Sequence, residues 1–345
     1  MNTGRGVMFP LCLLASGLIA QLAFCLPAPA GTQRTQQLQL QAGWNAVFLE
    51  VYPEDAEPAA VFANTPIDIA ASYYAPSSPA QFVSDPSADL FRQAGWGVWY
   101  AEDRPDAFLK TLHAIHGQQA YLVHSRSAFT WRVTGAVVPA EVRWQADAFN
   151  LVGFAVDAQA PPTFAQFFSG SLAHRHNRIY RLTNGTWRQA TSPAAETMRS
   201  GEAFWVYSYG GSKFQGPLHV QTPLRQGLVL RTGADALTLR NQADHPVIPT
   251  LEHIAAGADA VPLAIVIQAV GDQAAPVRSI PVAKPDGSWK QALPAIEAGG
   301  ALRVPLEARR ADQDTFARSP LLKISTDVGT EVWIPVVSVR EDLEK

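Results

Sequence analysis

The chain has 345 residues and a mass of 37.3 kDa, so at roughly 100–200 residues per domain it is expected to hold two or three domains. Hydrophobic residues make up 47% and charged residues 17% of the sequence, which excludes an intrinsically disordered chain. The net charge is −3 and the pI about 6.2, which argues against a nucleic-acid-binding protein with a basic face.

The first thirty residues have the organisation of a bacterial secretory signal peptide. Arg5 provides the positive start, an apolar run covers residues 7–26, and Ala28 and Ala30 form a small-residue cleavage site. We therefore expect cleavage near Ala30 and a mature protein that is secreted or periplasmic.

Both cysteines of the chain, Cys12 and Cys25, lie within this segment. The mature chain then has no thiol for a disulfide, a thiolate metal site or a cysteine nucleophile. No other apolar stretch approaches the roughly 20 residues that span a bilayer, so we expect no membrane span in the mature chain.

The region before Thr222 contains seven of the nine tryptophans and all eight tyrosines, and its sequence repeats itself. Trp44 and Asn45 match Phe149 and Asn150, and residues 119–123 match residues 202–206 in the same order. We expect two tandem aromatic-rich β-units, residues 31–143 and 144–222. The first is longer by a Ser-, Pro- and Asp-rich loop around residues 75–92.

Each unit has the same predicted layout. A strand carrying the shared Asn is followed by a short helix that begins with proline, then by aromatic strands and a closing strand. The helices are expected near residues 58–63 and 162–168. The pair Asn184-Gly185 predicts a two-residue hairpin turn between strands at 178–182 and 186–189.

The third segment, residues 223–345, has few aromatic residues and about seven short strand-like stretches separated by Gly- and Asp-rich turns. This pattern is typical of an immunoglobulin-like β-sandwich. The expected fold class is therefore mainly β, with two small aromatic-rich β-units in tandem followed by that sandwich.

The Gly-Trp-Asn opening at residues 43–45 and the Gly-x-Ala-Phe-Trp-Val closing at residues 201–206 resemble tandem repeats of uncharacterised secreted bacterial proteins. The resemblance covers about Leu38 to Tyr209, and Leu122 departs from it where a Trp is usual. Such repeats often lie beside sandwich domains or surface-anchoring signals. The resemblance implies an extracytoplasmic, non-enzymatic role and supplies no catalytic residues.

Among the histidines, His113 and His116 have the spacing of metal ligands on one face of a helix. Gly117 ends that stretch and no nearby carboxylate completes a ligand set. Surface histidines are the favoured interpretation, the pair is only a weak metal candidate, and no cofactor is expected.

Signals for hydrolytic chemistry are weak. The sequence has no Gly-x-Ser-x-Gly elbow, and Ser171 and Ser212 lie in Gly/Ser loops without a strand-to-helix context. Acidic clusters at residues 50–57 and 102–106 have the composition of solvated loops, although paired carboxylates could serve a glycosidase.

Six aromatic residues are candidates for a ligand platform. The strand at residues 203–209 places alternate rings on one face, and that face is either core or a surface for a sugar or a protein partner. The rings beside the loop at residues 75–92 are the better candidates for partial exposure. The candidate partner-binding residues are Trp96, Trp99, Tyr100, Trp205, Tyr207 and Tyr209.

These observations favour a non-catalytic binding or structural protein that docks onto a protein partner of the cell envelope or surface. A carbohydrate-binding protein that uses exposed aromatic rings is the first alternative, and polysaccharide is then the partner. A hydrolase with an inter-domain site is the second. Nucleic acid is not an expected partner.

Overall fold

The computed structural model describes residues 33–74, 95–139, 141–224, 227–230, 234–255, 263–267, 277–279, 287–308 and 320–338. The expected signal peptide and the expected loop at residues 75–92 lie outside these residues. Nearly all regular structure in the described ranges is β-strand, arranged in five sheets, so the expected mainly β class is confirmed. No helix in these ranges has the length and apolar character needed to cross a membrane.

In its described residues the first repeat contains two sheets, one single-turn α-helix and a 3-10 turn at Ala107–Leu109. Its elements are β1 (Gln33–Leu40), β2 (Gly43–Leu49), β3 (Tyr52–Pro53), α1 (Pro58–Val61), β4 (Ile67–Tyr73), β5 (Trp96–Tyr100), β6 (Gln119–Ser125) and β7 (Phe129–Ala136). Strands β2-β6-β4-β5 form a four-stranded sheet and β1-β7-β3 a three-stranded one. Helix α1 begins at Pro58 because a proline in the first turn loses no helical hydrogen bond.

The second repeat contains a four-stranded sheet in the order β10-β9-β11-β8. Its elements are β8 (Ala148–Gly153), α2 (Phe164–Phe167), β9 (Ile179–Thr183), β10 (Thr186–Gln189) and β11 (Ala203–Ser208). Helix α2 begins with a capping box between Thr163 and Gln166. The predicted hairpin turn is confirmed, since Asn184 and Gly185 have φ angles of 49° and 73° and connect β9 directly to β10.

Both repeats have the same chain path through their four-stranded sheets. In each sheet the first strand lies beside the last strand, and the second and third strands follow outward. The register is also the same, because Asn45 lies opposite Val123 and Asn150 lies opposite Val206.

The shared Asn fixes the entry of the chain into each sheet. Asn45 accepts a hydrogen bond from the N–H of Gln41 at 2.9 Å and donates to the carbonyl of the same residue at 2.8 Å. Asn150 makes the same two bonds with Gln145, at 2.8 and 3.2 Å. Each Asn also donates to the carbonyl two residues before it. The side chain thus replaces main-chain pairing just where the strand begins.

The two four-stranded sheets pack face to face through equivalent faces. Trp205 on β11 is fully buried, and its ring lies 6.3 Å from Trp96 on β5 and 6.2 Å from Trp187 on β10. Leu122 occupies the position in the first sheet that Trp205 occupies in the second. The two repeats therefore share one aromatic core, whose buried members are Ala71, Tyr73, Trp96, Val98, Tyr100, Leu122, Phe149, Trp187 and Trp205.

The backbones of the two repeats approach each other closely at one point, which fixes the relative position of the two sheets. Phe48 and Gly153 occupy equivalent positions in β2 and β8 and contact each other. A Cβ atom on Gly153 would lie 2.3 Å from the Cβ of Phe48, so only glycine fits there. The N–H of Phe48 also donates to the carbonyl of Gly201 at 2.8 Å, which joins the repeats through the main chain.

Each repeat buries its other sheet face against its own elements. In the first repeat β1 and β7 cover this face, and the ring of Phe62 lies 4.9 Å from Trp99 and 5.4 Å from Trp131. In the second repeat the cover comes from α2 and the segments around Trp144 and Phe214. Both sheets are consequently buried on two faces, which explains the high aromatic content.

The remaining strands form a β-sandwich of two five-stranded sheets around one core. They are β12 (Leu218–Gln221), β13 (Leu228–Leu230), β14 (Ala234–Asn241), β15 (Pro249–Ile254), β16 (Leu263–Ile267), β17 (Val277–Ser279), β18 (Trp289–Ala292), β19 (Ala301–Ala308), β20 (Leu321–Thr326) and β21 (Glu331–Ser338).

The strand order of this sandwich is immunoglobulin-like. One sheet runs β12-β14-β19-β16-β17 and the other β13-β21-β20-β15-β18. These orders contain the A-B-E-D and G-F-C arrangements of the immunoglobulin fold, and β13 pairs in parallel with the last strand. Because β12 pairs with β14, the sandwich begins at Leu218, before the expected boundary at residue 223.

The sandwich is attached to the second repeat by main-chain hydrogen bonds. The N–H of Asp157 donates to the carbonyl of Gly329 at 2.9 Å, and the N–H of Glu331 donates to that of Ala155 at 3.0 Å. A Cβ atom at Gly329 would lie 2.1 Å from the carbonyl oxygen of Ala160, so this turn docks closely. The β20–β21 turn therefore fixes the sandwich against the repeats.

Candidate functional sites

Four of the six candidate platform residues lie in the interior. Trp96 and Trp99 are 7% and 6% exposed, and Tyr100 and Trp205 are also buried. The expectation that Trp96 and Trp99 are partly exposed is wrong, because each lies on a sheet face that packs against another layer. Trp96 faces the shared aromatic core and Trp99 faces the core under β1 and β7.

The other two candidates lie at one end of β11 and reach the surface. Tyr209 is 41% exposed, and Tyr207 is half-buried. Their ring centroids are 4.6 Å apart, and the ring of Tyr209 lies 4.9 Å from His176. Arg178, which is exposed, lies over the ring of Tyr207 at 4.9 Å. We call His176, Arg178, Tyr207 and Tyr209 the tyrosine–arginine patch.

The patch is held by bonds to neighbouring turns. The hydroxyl of Tyr207 donates to the carbonyl of Asp147 at 3.0 Å, and the N–H of Tyr209 donates to that of Ala173 at 2.9 Å. Burial tends to lower the pKa of Arg178, but hydrogen bonds with Tyr209 and Tyr180 outweigh it and raise that pKa. The guanidinium is thus charged and positioned over the rings.

The weak metal candidates, His113 and His116, lie in an irregular segment and are both exposed. The helix that would place them on one face does not form there. The described residues contain no group of three or more His, Cys, Asp or Glu side chains with the arrangement of a metal site.

At the corresponding end of the first repeat, charges are paired with each other. Asp68 is buried and bonds to His124 at 2.6 Å and to Arg104 at 3.0 Å. Burial tends to raise the pKa of Asp68, but these two bonds lower it below its usual value. Arg126 pairs with both oxygens of Asp103, and Arg104 pairs with both oxygens of another carboxylate, that of Asp106.

A buried serine–histidine pair lies in the second repeat. The Oγ of Ser171 is 2.6 Å from the Nδ1 of His174, and the two residues are 6% and 1% exposed. The His174 ring lies 4.1 Å from Trp144, and burial lowers the pKa of His174 to about 4. The imidazole is therefore neutral at pH 7. The pair packs among aromatic rings and is closed to a substrate, so it stabilises the fold rather than forming a hydrolytic site.

A cleft of about 920 Å³ lies between the repeats and the sandwich. This volume and its place between modules are typical of ligand sites. Neither His113 nor His116 lines it. The walls include residues of β1, β2, β4, β6, β8, β12 and β21, together with residues 138, 139 and 141–143.

Among the described residues, two of these wall strands, β8 and β12, are the outermost strands of their sheets. The N–H of Gln242 donates to the carbonyl of Pro217, so these two residues form a hydrogen-bonded pair of the antiparallel ladder. From there along β12, hydrogen-bonded and non-hydrogen-bonded pairs with β14 alternate. This alternation directs the main-chain groups of His219 and Gln221 toward β14 and those of Val220 outward. The cleft is thus bordered by main-chain groups that can pair with another strand.

Three carboxylates line the cleft: Glu141 is exposed and lies 3.8 Å from the Nε2 of His219, whereas Glu50 and Glu331 are bonded within the protein. Glu50 is buried and forms an ion pair with Arg34, and its Oε1 accepts a hydrogen bond from Gln36 at 3.3 Å. Burial raises the pKa of Glu50, although Arg34 opposes this effect. Glu331 pairs with Lys323 at 2.6 Å. These bonds give both carboxylates a structural role.

A cation–π contact crosses the cleft from the first repeat to the sandwich. The guanidinium of Arg34 lies 4.6 Å from the ring centroid of Trp333 on β21. All three residues of this contact and of the Arg34–Glu50 pair line the cleft.

Sequence reasoning missed Arg178, Asp68 and the pairing of Ser171 with His174. The signal for Arg178 was available, because residues 158–195 contain no Asp or Glu but include four arginines. No local pattern marks Asp68 or His174, whose partners lie on other strands or in a buried turn.

No family model and no curated protein matches the chain. Among solved structures, the ASH/PapD-like domain 7 of human CEP192 is 13% identical, with 36% of this chain and 84% of that chain covered and a TM-score of 0.21. Pseudomonas fluorescens alkylpurine DNA glycosylase AlkC, solved with DNA containing an abasic site analogue, is 10% identical over 35% of this chain and 30% of its own (TM-score 0.17). Escherichia coli alpha-2-macroglobulin activated by porcine elastase is 10% identical, with 89% of this chain and 33% of that chain covered and a TM-score of 0.17.

Proposed function

We propose that the chain is a non-catalytic, secreted or periplasmic binding protein that docks onto a protein of the cell envelope or surface. The docking site is the cleft between the repeats and the sandwich, and its occupant is an extended polypeptide segment of the partner. The observation that carries this proposal is that edge strands β8 and β12 border the cleft.

Edge strands favour an extended polypeptide as the occupant. A strand at the edge of a sheet presents a row of main-chain donors and acceptors, and an added strand pairs with them. The half-buried side chains of His219 and Val220 would then contact alternate side chains of the segment. The shared aromatic core supports this role, because it joins both repeats into one wall of the cleft.

The signal-like segment at residues 1–30 and the resemblance to secreted bacterial repeats support the extracytoplasmic location. Fractionation of the producing cells tests it, together with N-terminal sequencing of the exported protein. We expect a mature N-terminus at Gly31. A chain that stays in the cytoplasm with Met1 intact would contradict the proposal.

The docking mode is tested with a matched pair of variants at Val220. Val220→Pro removes the outward N–H and blocks strand pairing, whereas Val220→Ala shortens the same side chain but keeps that N–H. The partner is first isolated from an envelope fraction on immobilised protein and then purified. We expect Val220→Pro to weaken its binding by about tenfold or more relative to Val220→Ala.

Equal binding by the two variants would refute strand pairing at β12. Thermal unfolding of both variants controls for folding. Turnover of a substrate by the purified protein, lost on replacement of Glu50 by Gln, would instead establish the hydrolase alternative.

A further inference from the structure

We propose that the tyrosine–arginine patch is a second binding site, separate from the cleft, and that its ligand is an acidic polysaccharide. The patch consists of His176, Arg178, Tyr207 and Tyr209 at one end of the second repeat. The arguments are the fixed exposed rings, the arginines around them and the contrast with the first repeat.

The exposed rings are held in place before any ligand arrives. Tyr207 is bonded through its hydroxyl to Asp147, and Tyr209 is bonded through its N–H to Ala173. The carboxylate of Asp147 also accepts from the N–H of Gly210 at 2.8 Å, which fixes the turn after Tyr209. Preorganised rings lose little entropy on binding, and a tyrosine offers an apolar face next to a polar hydroxyl. A pyranose ring has a matching apolar face and polar rim.

Arg175 and Arg178 lie around the patch, where the carboxylate of Asp147 is held by the N–H of Gly210, although the whole chain has a net charge of −3. The segment at residues 158–195 contains no acidic residue. The described residues place no carboxylate within ion-pair distance of Arg175 or Arg178; their contacts are with His176 and with aromatic residues. A planar guanidinium binds a carboxylate through two parallel hydrogen bonds, so a carboxylated ligand suits this surface.

In the first repeat, the position equivalent to the tyrosine–arginine patch has different charges. Trp44 lies opposite His124 there, as Phe149 lies opposite Tyr207 in the second repeat. In the first repeat Asp68 bonds to His124, and carboxylates pair with the neighbouring arginines. The two copies thus share a chain path but differ in charge, and among the described residues Arg178 of the second copy is bonded to tyrosines rather than to a carboxylate.

A saccharide fits the patch better than an acidic peptide does. Tyr207 lies on β11 and Arg178 directly precedes β9, and these are the two inner strands of their sheet. Their main-chain groups are paired on both sides, so an added peptide strand has no edge to join. Recognition must come from rings and side-chain donors, which suits a sugar ring with carboxylate and hydroxyl groups.

The test is affinity electrophoresis of the purified chain at fixed ionic strength in gels that contain polygalacturonate, alginate or hyaluronate. Neutral dextran and poly-glutamate are the comparison polymers. We expect retardation by at least one acidic polysaccharide and none by dextran. Arg178→Gln and Tyr209→Ala should each raise the dissociation constant by about tenfold or more.

Arg188→Gln is the matched control, since it removes the same charge from an exposed site on β10 of the same repeat. It should change the dissociation constant by less than about twofold. Thermal unfolding confirms that the variants fold.

Absence of retardation by all three acidic polysaccharides overturns the proposal, as does an equal loss of affinity with Arg188→Gln. Poly-glutamate that binds as tightly as the polysaccharides also overturns it and indicates an acidic peptide ligand. Val220→Pro should leave this binding unchanged, so failure here and failure of the docking proposal are distinguishable.

Discussion

Replacement of Trp205 by Ala tests the shared aromatic core most directly. Trp205 is 0% exposed, and its ring contacts one ring of its own repeat and two of the other. The centroid distances are 5.1 Å to Tyr73, 6.3 Å to Trp96 and 6.2 Å to Trp187. Truncation of a buried tryptophan costs about 3–5 kcal/mol. Three lost ring contacts, at about 0.5–1.5 kcal/mol each, place the expected cost toward the upper end of that range.

The assay is equilibrium unfolding in urea, followed by far-UV circular dichroism and by tryptophan fluorescence. Because the two repeats bury this ring together, we expect Trp205→Ala to lower the free energy of unfolding of both repeats in one transition. Tyr209→Ala is the control on the same chain segment, since Tyr209 is 41% exposed. It should cost less than about 1 kcal/mol.

Two results would refute this reasoning. One is a loss of less than about 1.5 kcal/mol, which would mean that the ring is not packed as described. The other is a separate transition for the second repeat alone, which would mean that the repeats do not share a core.

Two further predictions concern stability. Asn45→Ala and Asn150→Ala each remove the same three hydrogen bonds, so we expect similar losses of about 1–3 kcal/mol in urea unfolding, and a loss at only one site would contradict their equivalence. His174 has a pKa of about 4 in the folded state, below the value of about 6.5 in the unfolded chain. Its contribution is therefore fully present above pH 6.5 and is lost as the pH falls toward 4, by up to about 3 kcal/mol. His174→Phe should remove this part of the pH dependence. If the free energy of unfolding of the variant falls between pH 6.5 and 4 as steeply as that of the original chain, the prediction is refuted.

The strands and turns of the repeats were predictable because their signals are local. The pair Asn184-Gly185 permits two successive positive φ angles, and the alternation of residues along β7 marks one buried face. The short helix that begins with Pro58 follows from the same kind of local rule.

Several strands have only weak local signals. β1 is mostly polar, with glutamines and a threonine between its few leucines, and β15 and β18 carry charged residues among their apolar ones. Such stretches become strands because a neighbour provides the ladder, as β7 does for β1. Tertiary pairing overrides weak local propensity in these places.

The exposure of the aromatic residues depended on packing that no local pattern encodes. Trp96 and Tyr209 both belong to ring-rich stretches, yet the first is 7% and the second 41% exposed. The difference arises because the two sheets cover each other over Trp96, whereas β11 has ended before Tyr209.

The amino-acid sequence by itself determined the β class, the repeat of the Asn-bearing strand and the turn between β9 and β10, because these depend on neighbours within a few residues. Only the tertiary structure decided that the repeats bury a common core, that edge strands border a cleft, and that Arg178 lies over Tyr207 without a carboxylate partner among the described residues. Those features depend on contacts between residues far apart in the chain, and such contacts form only when whole sheets pack together.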